Sequence, residues 1–431
     1  MNVKLHSSPY RKRPLGEVAD VISGFAFKST DFGDKGIPVI KIKNIRLGHV
    51  DLNEASYVDE KHLSIPDRFH VKSGDVLISL TGSHITQPNS VVGRIARHSD
   101  GQPRCLLNQR AGKIIAKDKR VCDPRFLFYA LSEQETMLAI AVKAHGAASQ
   151  ANVSPSQVES IEIFFPPLPV QQRIAGILST YDELIENSQR RINILEAMAR
   201  GLYREWFVHF RFPGHENHPR QASALGDIPK GWEVTAAGDA FVISGGGTPS
   251  RKEDDFWENG TIQWYSPTDL TRAGAMFIDD SSDHITELGL AQSSTRMFPA
   301  FSVMLTSRAT IGAISINTQP ACTNQGFITC LPNERVSLYF LFHWLAENVP
   351  TFQRMASGAT FKEISRGVFK TIDFLQPPAS LIGRFETTSR PMAEQVLALQ
   401  RQIQNLRRTR DLLLPRLLSG QISVDTKEII T

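Results

Sequence analysis

Two distant stretches of this chain are nearly the same: Arg125–Gln134 reads RFLFYALSEQ and Tyr339–Asn348 reads YFLFHWLAEN. An internal repeat constrains a fold more than any local pattern, because each copy has to build an equivalent unit. The similarity extends along the chain in the same order. VISG at Val21 returns at Val242, IPVIKIKNI at Ile37 aligns with IQWYSPTDL at Ile262, and DVLIS at Asp75 aligns with SVMLT at Ser302. VGRIA at Val92 pairs with IGAIS at Ile311, Asn108-Gln109 with Asn324-Gln325, and Pro166-Pro167 with Pro377-Pro378. The offset drifts from 221 to 227 and back to 211 residues, as expected when insertions fall in loops on a shared scaffold.

After the double proline the drift stops. QRRINIL at Gln189 and QRQIQNL at Gln400 keep the offset of 211. A segment that tolerates no length change is regular, and its apolar period is helical. Ile174, Leu178, Tyr181, Ile185, Ser188, Ile192, Leu195, Ala199, Leu202 and Trp206 alternate at spacings of four and three. Phe385, Ser389, Met392, Val396, Leu399, Ile403, Leu406, Arg410, Leu413 and Leu417 do the same. Each is a heptad seam, imperfect at Ser188, Ser389 and Arg410. A lone helix cannot bury such a stripe, and each large apolar side chain left in water forgoes about 1.5–3 kcal/mol. The nearest equivalent partner is the other copy; packing on the adjoining globular domain is the alternative.

The globular parts read as mixed α/β. IPVIKIKNI, DVLISL and VGRIA have strand composition, and PRFLFYALSEQETMLAIAV has helical spacing. The segment 213–232, rich in Pro, Gly and polar residues, reads as a linker. With 431 residues the chain is too long for one core. No stretch reaches the ~18 apolar residues of a membrane span, and the first residues lack the apolar core of a signal peptide, so a cytoplasmic location is expected. Cys105, Cys122, Cys322 and Cys330 form no CxxC pair, which argues against a disulfide framework or zinc site. His215 and His218 in HENH are a weak metal signal inside the linker.

Catalytic apparatus is missing from the motifs. There is no P-loop, no G-x-S-x-G and no H-E-x-x-H, and SGGGTPS at Ser244 is not a dinucleotide fingerprint. Polar and basic residues instead gather in equivalent loops of both halves. In the first half the candidates for nucleic-acid contact are Lys28, Lys41, Lys43, Asn44, Thr81, His84, Arg94, Asn108, Gln109 and Arg110. In the second they are Ser250, Arg251, Lys252, Ser307, Arg308, Thr310, Asn324, Gln325 and Lys362. Arg, Lys, Asn and Gln pair with base edges, while Ser, Thr and backbone amides grip phosphate. The net charge of +4 and pI of about 8.8 permit nucleic-acid binding without demanding it.

The second half, with ISGGGTPSRKEDDFWENGTIQWYSPTDL, MLTSRATIGAISI, ACTNQGFITC, SGATFKEIS and LLLPRLLSG, resembles the specificity subunit of Type I restriction–modification enzymes. Between the halves, EAMARGLYREWFVHF and LGDIPKGWEV carry the same resemblance, which spans roughly residues 10 to 425. It implies an α+β chain: two pseudo-repeated α/β target-recognition domains joined by two long antiparallel coiled-coil spacer helices. The boundaries that follow are a first recognition domain at 10–167, a spacer helix at 168–212, the linker at 213–232, a second recognition domain at 233–378 and a last spacer helix at 379–421. It further implies that each domain reads one half of a two-part target in double-stranded DNA and that the helices set the distance between the halves. The subunit has no catalytic site, no metal and no cofactor of its own. Its partners are methyltransferase subunits, two in number, and restriction subunits, with S-adenosylmethionine, ATP and magnesium bound on those partners and no membrane involved. The first half departs from the pattern by carrying GFAFKS where the second has the Gly-rich TPSRK form, which implies that the two domains read different sequences. Two other classes remain open on the residues alone: a self-contained methyltransferase or nuclease with an unrecognised site, and a structural coiled-coil adaptor.

Overall fold

The computed structural model describes residues 8–83, 92–147, 150–358 and 361–424. The chain divides into two compact units, one formed by residues up to 185 together with those from 405 onward, the other by residues 186–404.

The first unit is built on a five-stranded sheet with strand order Ala19–Ser23, Ala111–Ala116, Val76–Ser79, Ile95–Arg97 and Gly48–His49. The first four strands pair antiparallel and the last joins in parallel. A second sheet places Ile37–Ile40 parallel to Cys105–Leu107, with Val39 opposite Leu106 and Ile40 opposite Leu107. Lys12–Pro14 pairs with Glu162–Phe164, just ahead of the double proline.

The second unit repeats this plan. Its five-stranded sheet runs Val242–Gly245, Phe327–Leu331, Val303–Thr306, Ile314–Asn317 and Phe277–Ile278, with the same three antiparallel pairings and the same terminal parallel pairing. Ile262–Tyr265 lies parallel to Ala321–Thr323, with Trp264 opposite Cys322 and Tyr265 opposite Thr323. Glu233–Ala236 pairs with Asp373–Gln376. The repeat seen in the sequence is a repeat of sheet topology and register.

Two local expectations are corrected. IPVIKIKNI is not one strand. The strand ends at Ile40, and Ile42–Asn44 is a 3-10 turn, because the Asn44 side chain accepts the Lys41 N–H at 2.9 Å and tightens the chain. The helical run after Asp123 is two helices, Pro124–Ser132 and Gln134–Val142. Glu133 adopts extended backbone between them and its carboxylate accepts the Thr136 N–H. In the second unit the equivalent run is a single helix, Leu338–Met355. The stretch 213–232 carries a two-stranded hairpin, Arg220–Ser223 with Gly226–Pro229, and ends on the fully buried Trp232. The His215 and His218 rings there meet the backbone carbonyls of Phe212 and Lys230.

The long helices are Leu168–Tyr203 and Ala379–Leu418, about 54 and 60 Å at ~1.5 Å per residue. Every residue of both heptad seams is buried or half-buried. In the first unit, Ile174, Ala175 and Leu178 share one core with Leu414, Leu417 and Leu418 and with Phe126–Leu131 of the domain helix. In the second unit, Leu195 and Ala199 line one narrow cavity with Ser389, Ala393 and Val396. The early turns of one helix thus meet the late turns of the other, which is antiparallel pairing, and the seams also pack on the domains. The second unit adds an aromatic core in which Phe207 sits edge-on to Phe340 and Phe385 at 4.8 and 5.2 Å.

Candidate nucleic-acid interface

In both units the Asn-Gln turn sits in the same backbone cradle. Asn108 N–H donates to the Ile40 carbonyl at 3.0 Å, and Asn324 N–H to that of Tyr265 at 3.1 Å. Phe25 N–H donates to Leu107 O at 2.7 Å, and Gly247 N–H to Thr323 O at 2.9 Å. On the far side of the turn, Leu80 N–H reaches Arg110 O at 3.0 Å and Ser307 N–H reaches Gly326 O at 2.8 Å. Side chains join the pattern: Arg94 N–H donates to Ser79 Oγ at 3.0 Å and Ala313 N–H to Thr306 Oγ1 at 2.9 Å. These bonds link segments remote in sequence, so each turn is held by three strands at once.

The glycines of VISG-F and VISGGG belong to this cradle. A Cβ on Gly24 would lie 2.4 Å from the carbonyl oxygens of Leu107 and Asn108, and one on Gly246 would lie 1.9 Å from that of Asn324. Only glycine lets the strand run this close beneath the turn.

In the first unit, Gln109 and Arg110 are exposed and Asn108 is half-buried with its Oδ1 facing the Arg110 N–H. Lys28 is exposed. Lys41 lies with Nζ 3.5 Å from the Phe32 ring centre, a cation–π contact. Burial, and then the neighbouring Lys43, pull its pKa down. Arg94 is half-buried, and burial and Arg46 act on it in the same direction. Lys43 faces Glu54 at 3.8 Å and Arg46 faces Asp51 at 3.6 Å, both in solvent. Like charges gathered at Lys41 with Lys43 and at Arg46 with Arg94 repel one another, and a polyanion relieves that repulsion.

In the second unit, Gln325 is exposed and its Oε1 accepts from Thr248 Oγ1 at 2.5 Å, while Asn324 Oδ1 accepts the Gly326 N–H at 2.9 Å. Ser250, Lys252, Thr310 and Lys362 are exposed. Arg251 is held in place: its guanidinium lies 3.5 Å from the Trp257 ring centre and bonds Asp283 at 2.5 Å. Arg308 pairs with Glu363 at 3.8 Å.

Three candidates are buried, and this corrects their expected part in contact. Asn44 is 2% exposed. Besides capping Lys41 it donates from Nδ2 to Asp51 O at 2.9 Å, so both ends of the amide hold the loop. Its counterpart Asp269 caps Ser266 in the same way, which marks the position as structural. Thr81 is buried and donates to Asn152 Oδ1 at 2.7 Å. Ser307 is 2% exposed. His84 lies outside the described residues.

Asn152 and Glu363 were absent from the expected contacts. Running the offset of 211 backward from the double proline aligns them, and it also aligns the helix-capping Ser154 and Ser365. The thiols of Cys105, Cys122 and Cys322 are pushed up by burial to about 12, which leaves them protonated and inert as nucleophiles. Among the described residues no three His, Cys, Asp or Glu side chains gather as a metal site would require, and no helix is long and apolar enough to cross a membrane.

The chain matches the family model for the Type I restriction modification DNA specificity domain at residues 7–197 and again at 229–380. It is similar to the putative type I restriction enzyme MjaX specificity subunit of Methanocaldococcus jannaschii, 23% identical over 428 residues, which are 96% of this chain and 94% of the relative. The MjaIX specificity subunit of the same organism is 28% identical over 324 residues, 74% of this chain and 73% of the relative. The HindI specificity subunit of Haemophilus influenzae is 25% identical over 370 residues, 72% and 80% of the two chains. The crystal structure of the type I restriction–modification S subunit from M. genitalium has the same fold, with a TM-score of 0.60 at 17% identity over 97% of this chain and 98% of that one. Each cradle lies within one of the two stretches that match this model, and the chain belongs to the Type I restriction–modification DNA specificity subunit family.

Proposed function

We propose that the chain is the non-catalytic DNA-recognition subunit of a Type I restriction–modification complex, in which each unit reads one half of a two-part target in double-stranded DNA. It recruits methyltransferase and restriction subunits, and S-adenosylmethionine, ATP and magnesium bind on those partners. The work is done in the cytoplasm, on the cell's own DNA and on entering DNA.

The observation that carries this reading is the cradle itself. Two units share a backbone hydrogen-bond pattern around an Asn-Gln turn and surround it with different side chains. A common scaffold with divergent polar tips is what two readers of different sequences require: backbone positions the loop, and side chains discriminate base edges. The first unit presents Lys28, Lys41, Gln109 and Arg110, and the second Lys252, Arg308, Gln325 and Lys362.

Co-expression with the methyltransferase subunits and sequencing of methylated sites in the host genome tests the reading. The expected result is a motif of two specified parts separated by an unspecified gap of constant length. A continuous motif, or methylation by this chain without partners, would refute it.

A further inference from the structure

Beside each Asn-Gln turn, the chain leaving the cradle pairs with the segment just ahead of the helix-capping Ser154 or Ser365. In the first unit the pair is Thr81 opposite Asn152. In the second it is Arg308 opposite Glu363. The two rungs occupy the same place in the repeat, since Leu80 N–H binds Arg110 O and Val153 N–H binds Leu80 O, just as Ser307 N–H binds Gly326 O and Ile364 N–H binds Ser307 O. Their side chains differ in kind. Thr81 and Asn152 make a neutral hydrogen bond at 2.7 Å, whereas Arg308 and Glu363 are an ion pair.

We infer that the Arg308–Glu363 rung is a base reader that specifies a G·C pair in the half-site of the second unit. This rests on the function proposed above. The ion pair runs from Arg308 Nε to Glu363 Oε2 at 3.8 Å, with the two side chains 53% and 42% exposed. The guanidinium faces the carboxylate through Nε, beyond hydrogen-bond distance, which leaves both terminal nitrogens for a ligand, and that fork matches the O6 and N7 acceptors of guanine. The carboxylate beside it is an acceptor for the N4 amino group of cytosine. The same carboxylate makes the rung a poor phosphate anchor, because it cancels the charge that would attract phosphate and repels the phosphate oxygens. The neutral Thr81–Asn152 rung has no such fork and its Thr81 is buried, so this reader belongs to the second unit alone.

The backbone after Arg308 carries a second sign. Ala309 has φ of +60°, the left-handed region that residues with a Cβ seldom adopt, while the aligned residue of the first unit is Gly82. Ala309 is pinned there by its N–H bond to Lys362 O at 3.0 Å. Such an outlier persists where surrounding structure over-determines it, and it concentrates at functional positions. Here it turns the chain out of the ladder immediately after the guanidinium.

The experiment uses the complete chain co-expressed with its methyltransferase subunits, with methylated sites in the host genome as readout, comparing wild type with R308A, R308K and E363Q. R308A and R308K are expected to lose selection for one G·C pair in one half of the motif, by on the order of tenfold to a hundredfold, with the other half unchanged. R308K separates the two roles, since lysine keeps the charge that a phosphate contact needs but lacks the fork that guanine needs. E363Q is expected to weaken selection at the same pair. The inference is overturned if R308K, or R308A, preserves the motif at every position, including the case of uniformly weaker methylation. If R308A yields no complex, R308K and E363Q decide. If wild type gives no two-part motif, the proposed function itself fails and this reading falls with it; a wild-type motif unchanged in the variants sinks only the Arg308 assignment.

Discussion

Arg410 Nη1 donates to Asp182 Oδ1 at 2.6 Å inside the first unit. Arg410 is the one cation in the seam of the last helix, and Asp182 stands on the central helix, so the break in the apolar stripe is an interhelical ion pair. Tyr129 of the domain donates to the other oxygen of the same carboxylate at 2.6 Å. One carboxylate therefore ties both helices to the domain.

Removing that carboxylate leaves the half-buried Arg410 guanidinium with Asp411 alone, which it bonds from Nε and Nη2, and leaves a buried phenol without its acceptor. Asp182→Ala is expected to destabilise the first unit by about 1–3 kcal/mol, below the full cost for a wholly buried pair because both side chains are partly exposed. Asp182→Asn keeps an acceptor for Tyr129 and is expected to cost less. Urea denaturation of the two variants checks the order; equal costs would mean that the charge carries the whole effect and a neutral acceptor for Tyr129 contributes nothing.

His343 makes the second unit acid-sensitive. It is 4% exposed, its Nε2 has no partner among the described residues, and burial followed by Arg200 lowers its pKa to about 4. The unfolded state, titrating near 6.5, then binds more protons than the folded state between these values, so stability falls as pH drops through that window. The loss is expected to reach about 2 kcal/mol between pH 7.5 and pH 5. Denaturation curves across that range, compared with His343→Phe, test it: the variant is expected to show a flatter dependence.

Gly246→Ala is expected to damage the second reader alone. Its Cβ meets backbone carbonyls of Thr323 and Asn324 at 2.2 and 1.9 Å, and no flexible side chain is available to yield. Forcing the strand off the turn is expected to cost about 1–3 kcal/mol and to relax the second half-site, with the first half-site retained. Methylation of a target library by the variant complex measures both halves in one experiment.

Arg251 and Lys252 are neighbours with different expected roles. Arg251 is packed on Trp257 and bonded to Asp283, so Arg251→Ala is expected to lower the melting temperature. Lys252 is exposed, and Lys252→Ala is expected to weaken binding to all DNA sequences and reduce the salt slope by about one. Binding isotherms at several salt concentrations, read beside melting curves, separate the two.

The repeat, the two helical seams and the position of both Asn-Gln turns were legible in the sequence because each rests on spacing. An apolar period shows which face of a helix is buried, and a drifting offset marks the loops while a constant one marks the helices. Burial of individual polar residues was not legible in the same way. Asn44 reads in sequence as a candidate for nucleic-acid contact beside Lys41 and Lys43 and is a buried cap, since its fate depends on the carbonyl of Asp51 and the amide of Lys41 coming to the same side of the turn. The rungs Thr81–Asn152 and Arg308–Glu363 join residues far apart in sequence, and no local pattern announces which residue faces which across a ladder. The sequence by itself determined that there are two similar units and where their turns lie. Only the tertiary structure decided which side chains at those turns meet solvent, because that choice is made by long-range strand pairing, where a one-residue change in register exchanges the buried face for the open one.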